Sequence, residues 1–328
     1  MLLFVVISVL TTKGTTMKRK KVTVIGAGNV GTTCAQRIVE HNLADVVLID
    51  IVYGLAQGKA LDVMQSAPIL GFDATIEGTT NFQRSRGSDV IIITAGLVRK
   101  PGMSRDDLLI KNASIIKEVV QEVAPLSPHA ILLIVTNPLD VMCYVAQKYS
   151  GFPHKRVIGM AGELDGARFN HFIRERINNK VGTMKALVLG THGDAMVPLA
   201  RLSKVGSRSV DKLISSRILK SIIDKTKKGG AQIVSLLQTG SAFYAPSAAV
   251  FSMVRSILHN KKELFCCSVY LQGEYEIRDN YCGVPVRLGK SGVSEIVDLK
   301  LNKKEIASLQ KSSQIIKENI NKLSSRVI

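Results

Sequence analysis

The sequence predicts an α/β protein: a doubly wound parallel sheet followed by an α+β domain. Three observations carry this expectation. Short β-branched apolar runs alternate with longer helical patterns from Lys21 to about residue 160. Those runs lack period-two polarity, as strands covered on both faces do. Beyond residue 160 the alternation gives way to mixed helices and paired strands with Gly and Pro turns.

In chain order, the strand-like runs are VTVIGAG from Val22, VVLID at 46–50, DVIIITAG at 89–96 and ILLIVTN at 131–137. Between the last two, Asp106 to Val123 places Leu109, Ile116, Val119 and Val123 on one side, the spacing of an amphipathic helix. A helix is expected to start near Glu163 and run through NHFIRERI, followed by a strand-like KALVLG at 185–190 and a polar THGD loop. SVYLQGEYEI and GVPVRLG read as antiparallel strands, and a Lys-rich helix spans 302–323.

At 328 residues and 46% hydrophobic, the chain can bury a substantial core in about two domains. The expected division is residues 17–160 and 161–328, with residues 1–16 as an upstream extension. Those first residues hold an apolar run, MLLFVVISVL, too short to span a bilayer and without a preceding basic segment. Met17, before KRKKVTVIGAG, is the better start; a secretory signal is the less favoured reading.

The formal charge is +18, which raises the question of a nucleic-acid or anionic-membrane partner. Aromatics are only 5%, Trp is absent, and the basic residues are not interleaved with stacking side chains, so neither partner is expected. The densest basic stretch, Arg201 to Lys228, reads as a solvated helical face, with an electrostatic funnel for anions as the alternative. Five cysteines with no CxxC spacing support neither a disulfide framework nor a metal site, and they fit a reducing cytoplasm.

The strongest local motif is Gly26-Ala27-Gly28-Asn29-Val30-Gly31, which follows a strand and opens a helix. There, backbone N–H groups and the positive helix end can meet a pyrophosphate, and missing side chains permit close approach. Asp50 follows 19 residues after Gly31 at the end of the next strand, where a carboxylate accepts from ribose hydroxyls and repels a 2′-phosphate. Together these predict a Rossmann-type site for NAD rather than NADP.

Redox chemistry at a carbinol needs a group that takes and returns a proton, and a histidine pKa suits both directions. Of six histidines, His192 sits just beyond an apolar strand, where a strand end can present it in a cleft. His41, His129, His154, His171 and His259 read as ordinary surface residues. Asp165 and Arg168 are three apart on an expected helix and share a face. They form either a surface ion pair or a functional pair: a carboxylate that orients a histidine beside a guanidinium that grips a substrate carboxylate. The loop from Leu97 through Arg99 to Arg105 follows a central strand, where open α/β sheets place ligands; a solvated surface loop is the alternative.

Beyond these local readings, GAGNVG, QGKALDV, RKPGMSRDDLL, VTNPLD, GMAGELD, HGD, and GEY with GVP occur in order between about Lys20 and Lys322. In this the chain resembles the lactate/malate dehydrogenase family, and within it the lactate dehydrogenase-like malate dehydrogenases. The resemblance implies His192 as the proton acceptor, Asp165 as its partner, and Arg168 as the clamp on the substrate C1 carboxylate. It also implies Arg105 as a loop arginine that polarises the carbonyl, Asn137 beside the substrate hydroxyl, and Asn112, Val135, Thr136 and Asn137 as cofactor contacts. A dimer or tetramer is implied as well.

The same resemblance makes Arg99 the substrate selector. Lactate dehydrogenases are similar in this loop but carry Gln at the matching place, whereas malate dehydrogenases carry Arg. A second substrate carboxylate left unpaired in a closed site costs on the order of several kcal/mol, so a dicarboxylate, malate or oxaloacetate, is expected. Lactate dehydrogenase is the near alternative and a basic, non-catalytic binding protein on the same scaffold the distant one. The chain departs from its relatives at Tyr53, where Glu is common, at Thr191, where Gly usually precedes the histidine, and at Ala195, where a polar residue is common.

Overall fold

In a computed structural model, which describes residues 19–98, 102–177 and 184–324, strands and helices alternate through the first half of the chain. The expectations for residues 1–16 and for Arg99 lie outside the described residues. The first half contains β1 (Lys21–Ile25), α1 (Asn29–Glu40), β2 (Asp45–Ile49), α2 (Leu55–Leu70), β3 (Ile76–Thr79), β4 (Val90–Ile93), α3 (Arg105–Val123), β5 (Ile131–Ile134), α4 (Leu139–Ser150) and β6 (Val157–Gly159). These six strands are parallel and lie in the order β3-β2-β1-β4-β5-β6. That is the doubly wound arrangement expected from the unalternating apolar runs. All four residues of β4 and all four of β5 are buried, because helices cover both faces.

After β6 come α5 (Gly162–Ile177), β7 (Met184–Lys185), β8 (Val188–Leu189), β9 (Val197–Pro198), β10 (Lys204–Val205), β11 (Arg208–Ser209), α6 (Val210–Leu213), α7 (Ser216–Leu237) and α8 (Tyr244–Leu258). The chain ends in β12 (Glu263–Gln272), β13 (Arg278–Gly289), β14 (Gly292–Ile296) and α9 (Lys303–Ser324). As expected, β12 and β13 pair antiparallel. They do not form a separate sheet: Ser268 of β12 pairs with Gly159 of β6, so the antiparallel strands extend the parallel sheet to nine strands. KALVLG is two strands rather than one. Its first part pairs with β10 and its second with β9, so the backbone changes sheets between Lys185 and Val188.

The main core runs along both faces of the sheet, and a smaller one, including Phe169, Ile173, Val188 and Ile222, lies under α5 and α7. α3 begins with a capping box. Ser104 Oγ accepts from the Asp107 amide at 3.0 Å, and the Asp107 carboxylate accepts from the Ser104 amide at 3.1 Å. All five cysteines are buried free thiols, and burial pushes Cys34 and Cys266 up to about 12. Among the described residues, no helix is long and apolar enough to cross a membrane.

Candidate functional site

The reversal of strand order falls between β1 and β4, and the glycine turn sits at that point. Gly26 has φ +103°, and a Cβ there would stand 2.7 Å from the Ala95 nitrogen and from Thr94 Oγ1. At Gly31 a Cβ would stand 2.0 Å from the Gly26 oxygen, so α1 can approach the turn only without a side chain. Gly28 differs: a Cβ on it would meet nothing within 4 Å. Two glycines therefore let the protein pack on itself, and the third faces open space at the N-terminus of α1. This is the room a pyrophosphate needs beside backbone donors.

Asp50 is held at the same turn. Its Oδ2 accepts from the Ala27 amide at 2.7 Å and its Oδ1 from the Val52 amide at 2.9 Å. Lys59 Nζ donates to the Ala27 carbonyl at 2.7 Å, tying α2 to the turn. The residues present thus fit a dinucleotide: open backbone donors for phosphate, with a fixed carboxylate one strand away.

Across the sheet edge, the loop after β8 carries His192, and α5 turns Asp165 and Arg168 toward it. His192 Nδ1 lies 2.8 Å from Asp165 Oδ2. A carboxylate accepts only, so Nδ1 carries the proton and Nε2 is left for the cleft. Arg168 Nη1 approaches the other oxygen, Asp165 Oδ1, at 3.4 Å. Asp165 is 1% exposed, whereas the Arg168 and His192 side chains keep 13% and 20% of their surface open to the cleft. Burial pulls the His192 pKa down, but the charge and hydrogen bond of Asp165 push it up. Arg168 opposes and Asp140 adds, and the balance lies above the ordinary histidine value. The pair is therefore no surface ion pair; it is a buried carboxylate shared by a histidine ring and a guanidinium.

Val30, Val135, Thr136, Asn137, Arg168 and His192 line one cleft of about 630 Å³. Its first wall is the strand ends of the cofactor half and its second is α5 and the His192 loop.

Two family models match the chain: the lactate/malate dehydrogenase NAD binding domain over residues 20–159 and the lactate/malate dehydrogenase alpha/beta C-terminal domain over residues 162–327. This chain belongs to the lactate/malate dehydrogenase family. Within the family it is 49% identical over 306 residues to a malate dehydrogenase of Chloroherpeton thalassium, covering 93% of this chain and 99% of that one. Among solved structures, the malate dehydrogenase of Salinibacter ruber superimposes with a TM-score of 0.89 at 45% identity, over 93% and 98% of the two chains. A Cryptosporidium parvum lactate dehydrogenase, in complex with lactic acid and nicotinamide adenine dinucleotide, gives 0.90 at 37% identity, over 94% and 99%.

Not every residue expected at the family's site lines the cleft. Asn112 is 1% exposed; its Nδ2 donates to the carbonyls of Leu97 and Asn137, and its Oδ1 accepts from the Leu97 amide. It shapes the backbone behind the cleft. Arg105, the first residue of α3, is exposed and outside the cleft as described. His154 is a correction, because it is not a plain surface residue: its ring stacks on Tyr270 at 3.8 Å, and burial lowers its pKa. His41, His129, His171 and His259 are exposed, as expected.

Sequence reasoning missed a third wall of the cleft: Gly230, Val234, Gln238, Ser241 and Pro246, from α7 to the start of α8. A signal was present in the Gly229-Gly230 pair inside a helical pattern, which costs roughly 1 kcal/mol per glycine and so calls for a packing reason. Arg168 packs over both positions: its side chain would lie 3.4 Å from a Cβ at either, in ordinary van der Waals contact, so the pair gives the arginine room without requiring glycine. The basic stretch from Arg201 is largely exposed on and before α7, with Arg201 paired to Glu305 at 2.7 Å.

Proposed function

We propose that this chain catalyses the reversible NAD-dependent oxidation of (S)-malate to oxaloacetate. The observation that carries the reading is the buried Asp165, which holds a proton-transferring histidine and a carboxylate-binding arginine on one wall of a cleft that opens beside the glycine turn. The 49% identity to a malate dehydrogenase over nearly the whole chain supports the choice of substrate. Bound NAD supplies the hydride acceptor for oxidation and, reduced, the hydride donor for the return.

The protein's own part is positioning and proton transfer. His192 Nε2 takes the hydroxyl proton in oxidation and returns it in reduction, and Asp165 stabilises the imidazolium formed. Arg168 grips the C1 carboxylate, with a charged hydrogen-bond pair contributing about 1.5–3 kcal/mol. Arg99 takes the second carboxylate, Arg105 stabilises charge on the reacting oxygen, and Asn137 stands beside it. Gly26, Ala27, Gly28, Asn29, Val30, Gly31 and Asp50 would hold the pyrophosphate and ribose of NAD, and Val135, Thr136 and Asn137, backed by Asn112, would complete the cofactor site. Residues 17–160 form the NAD-binding domain, which also lends Arg99, Arg105 and Asn137 to the substrate, and residues 161–328 form the catalytic domain, in a homodimer or homotetramer of the cytoplasm.

The test is the disappearance of NADH absorbance with purified protein and either oxaloacetate or pyruvate. Faster turnover of oxaloacetate is expected. Faster turnover of pyruvate would make the chain a lactate dehydrogenase, and no turnover of either would leave a non-catalytic member of the family.

A further inference from the structure

Behind the His192 loop lies a second buried carboxylate. Asp140, in the first turn of α4, is 2% exposed, yet it accepts from three donors on two other parts of the fold, β12 and the His192 loop. Its Oδ1 accepts from Ser268 Oγ of β12 at 2.6 Å, its Oδ2 accepts from Thr191 Oγ1 at 2.5 Å, and the backbone N–H of His192 is a further donor to the carboxylate. The loop around it is tied down residue by residue. The Gly190 amide donates to the Gly283 carbonyl of β13 at 2.8 Å, and the Thr191 amide donates to Ser312 Oγ of α9 at 2.7 Å. Among the described residues, only Asp140 bonds both the Thr191 side chain and the His192 backbone. It also stands three residues after Asn137, so it links the strand-end side of the cleft to the histidine side.

We infer that Asp140 is a positioning residue for His192 and that it acts through the hydroxyl of Thr191. A histidine that shuttles a proton must present Nε2 within a few tenths of an ångström of the reacting oxygen. Asp165 fixes the ring from its Nδ1 side. Asp140 fixes the backbone that carries the ring, which a bond to the ring alone leaves free to rock. This assigns a purpose to Thr191, at the position where the family resemblance leads one to expect glycine: its side chain turns inward to the carboxylate rather than tilting the loop.

The surroundings favour an ionised Asp140 in part and oppose it in part. Burial pushes its pKa up, while the Ser268, Thr191 and His192 donors pull it down, and the balance lies above the ordinary carboxylate value. The groups facing it are His192 on the loop, with Asp165 and Arg168 of α5 beyond, and the thiols of Cys143 on α4 and Cys282 on β13, which burial pushes up and keeps neutral. An ionised Asp140 raises the His192 pKa from behind, as Asp165 does from the side.

The inference rests on the proposed malate dehydrogenase activity, and its test separates the two. Thr191→Val keeps the volume of the side chain and removes only its hydroxyl; Thr191→Ser returns the hydroxyl. With oxaloacetate and NADH, Thr191→Val is expected to lower kcat about tenfold, equal to about 1.4 kcal/mol, while KM and the thermal midpoint change little. Thr191→Ser is expected to restore most of the rate. Asp140→Asn, where it folds, removes the rear charge, so the high-pH fall of kcat/KM for reduction moves to lower pH. A Thr191→Val variant with kcat within about twofold of its parent, or a loss that Ser does not restore, overturns the positioning role. An unsubstituted protein inactive with oxaloacetate overturns the proposed function and this inference with it.

Discussion

His192 and Asp165 lie 27 residues apart in sequence and meet at 2.8 Å, Nδ1 to Oδ2, at the wall of the cleft. The bond joins a loop to a helix and leaves the second oxygen of Asp165 to Arg168. Asp165→Asn is expected to lower kcat by about 10² or more, since proton transfer by a positioned base contributes about 10²–10⁴. It also removes the charge that raises the His192 pKa. Reduction needs the imidazolium, so its high-pH limb moves to lower pH; oxidation needs the neutral ring, so its low-pH limb moves the same way. A pH–rate profile in both directions checks this, and unmoved limbs would show that Asp165 does not set the proton affinity.

Arg168→Lys keeps the charge but loses the planar fork. A lysine ammonium cannot bind a carboxylate bidentately while also meeting Asp165. Specificity for oxaloacetate, kcat/KM, is expected to fall by on the order of 10²-fold, with NADH affinity unchanged. Steady-state kinetics with binding measured by NADH fluorescence distinguishes the two effects.

The three glycines of the turn are expected to respond differently to alanine. Gly31→Ala forces a methyl to within 2.0 Å of the Gly26 carbonyl, a backbone atom that cannot swing aside. Its cost is expected to be about 1–3 kcal/mol of stability, seen in chemical denaturation. Gly28→Ala has φ −68° and no protein neighbour, so the fold is expected to keep its stability while NADH binding weakens. Equal denaturation midpoints for these two variants would sink the distinction.

Stability is expected to fall as pH rises from about 4.5 to about 7. Burial, then the nearby Glu263 carboxylate, raises Glu163 from 4.5 to about 7. A carboxyl with a raised folded-state pKa holds its proton more tightly when folded, so the native state binds more protons across this window. Its contribution is present below the unfolded value and lost above the folded one, with an upper limit of about 3 kcal/mol. Glu163→Gln is expected to flatten this part of the thermal-midpoint profile and to be the more stable form at pH 8.

Arg99→Gln is expected to narrow the ratio of kcat/KM for oxaloacetate over pyruvate, because it removes the proposed partner of the second carboxylate. An unchanged ratio would mean that another residue makes the selection.

Much of this was legible in the sequence because its signals are local. The β4 and β5 runs are apolar at every position since helices cover both faces, and a glycine turn between a strand and a helix has few other uses. His192 and Asp165 could be singled out by their places after a strand and on a helix, but nothing in the spacing says that they touch. Asp140 looked like one letter of VTNPLD; its role comes from Thr191 and Ser268, which lie 51 and 128 residues away. The wall from Gly230 to Pro246 escaped notice for the same reason, since periodicity reports which face of a helix is covered and not what covers it. β3 and β14 were missed because their sequences, IEGT and GVSEI, are short and polar, as sheet-edge strands commonly are.

The five enclosed thiols give the folded chain a chemical silence. A thiolate is the reactive form of cysteine, and burial raises every one of these groups above its ordinary value. An alkylating reagent or a disulfide therefore finds no exposed thiol on the native protein, and cysteine chemistry can begin only where the core has opened. Each alkylated cysteine becomes a lasting mark of a passing excursion from the folded state, so thiol modification would accumulate in proportion to time spent unfolded and not to time spent at work.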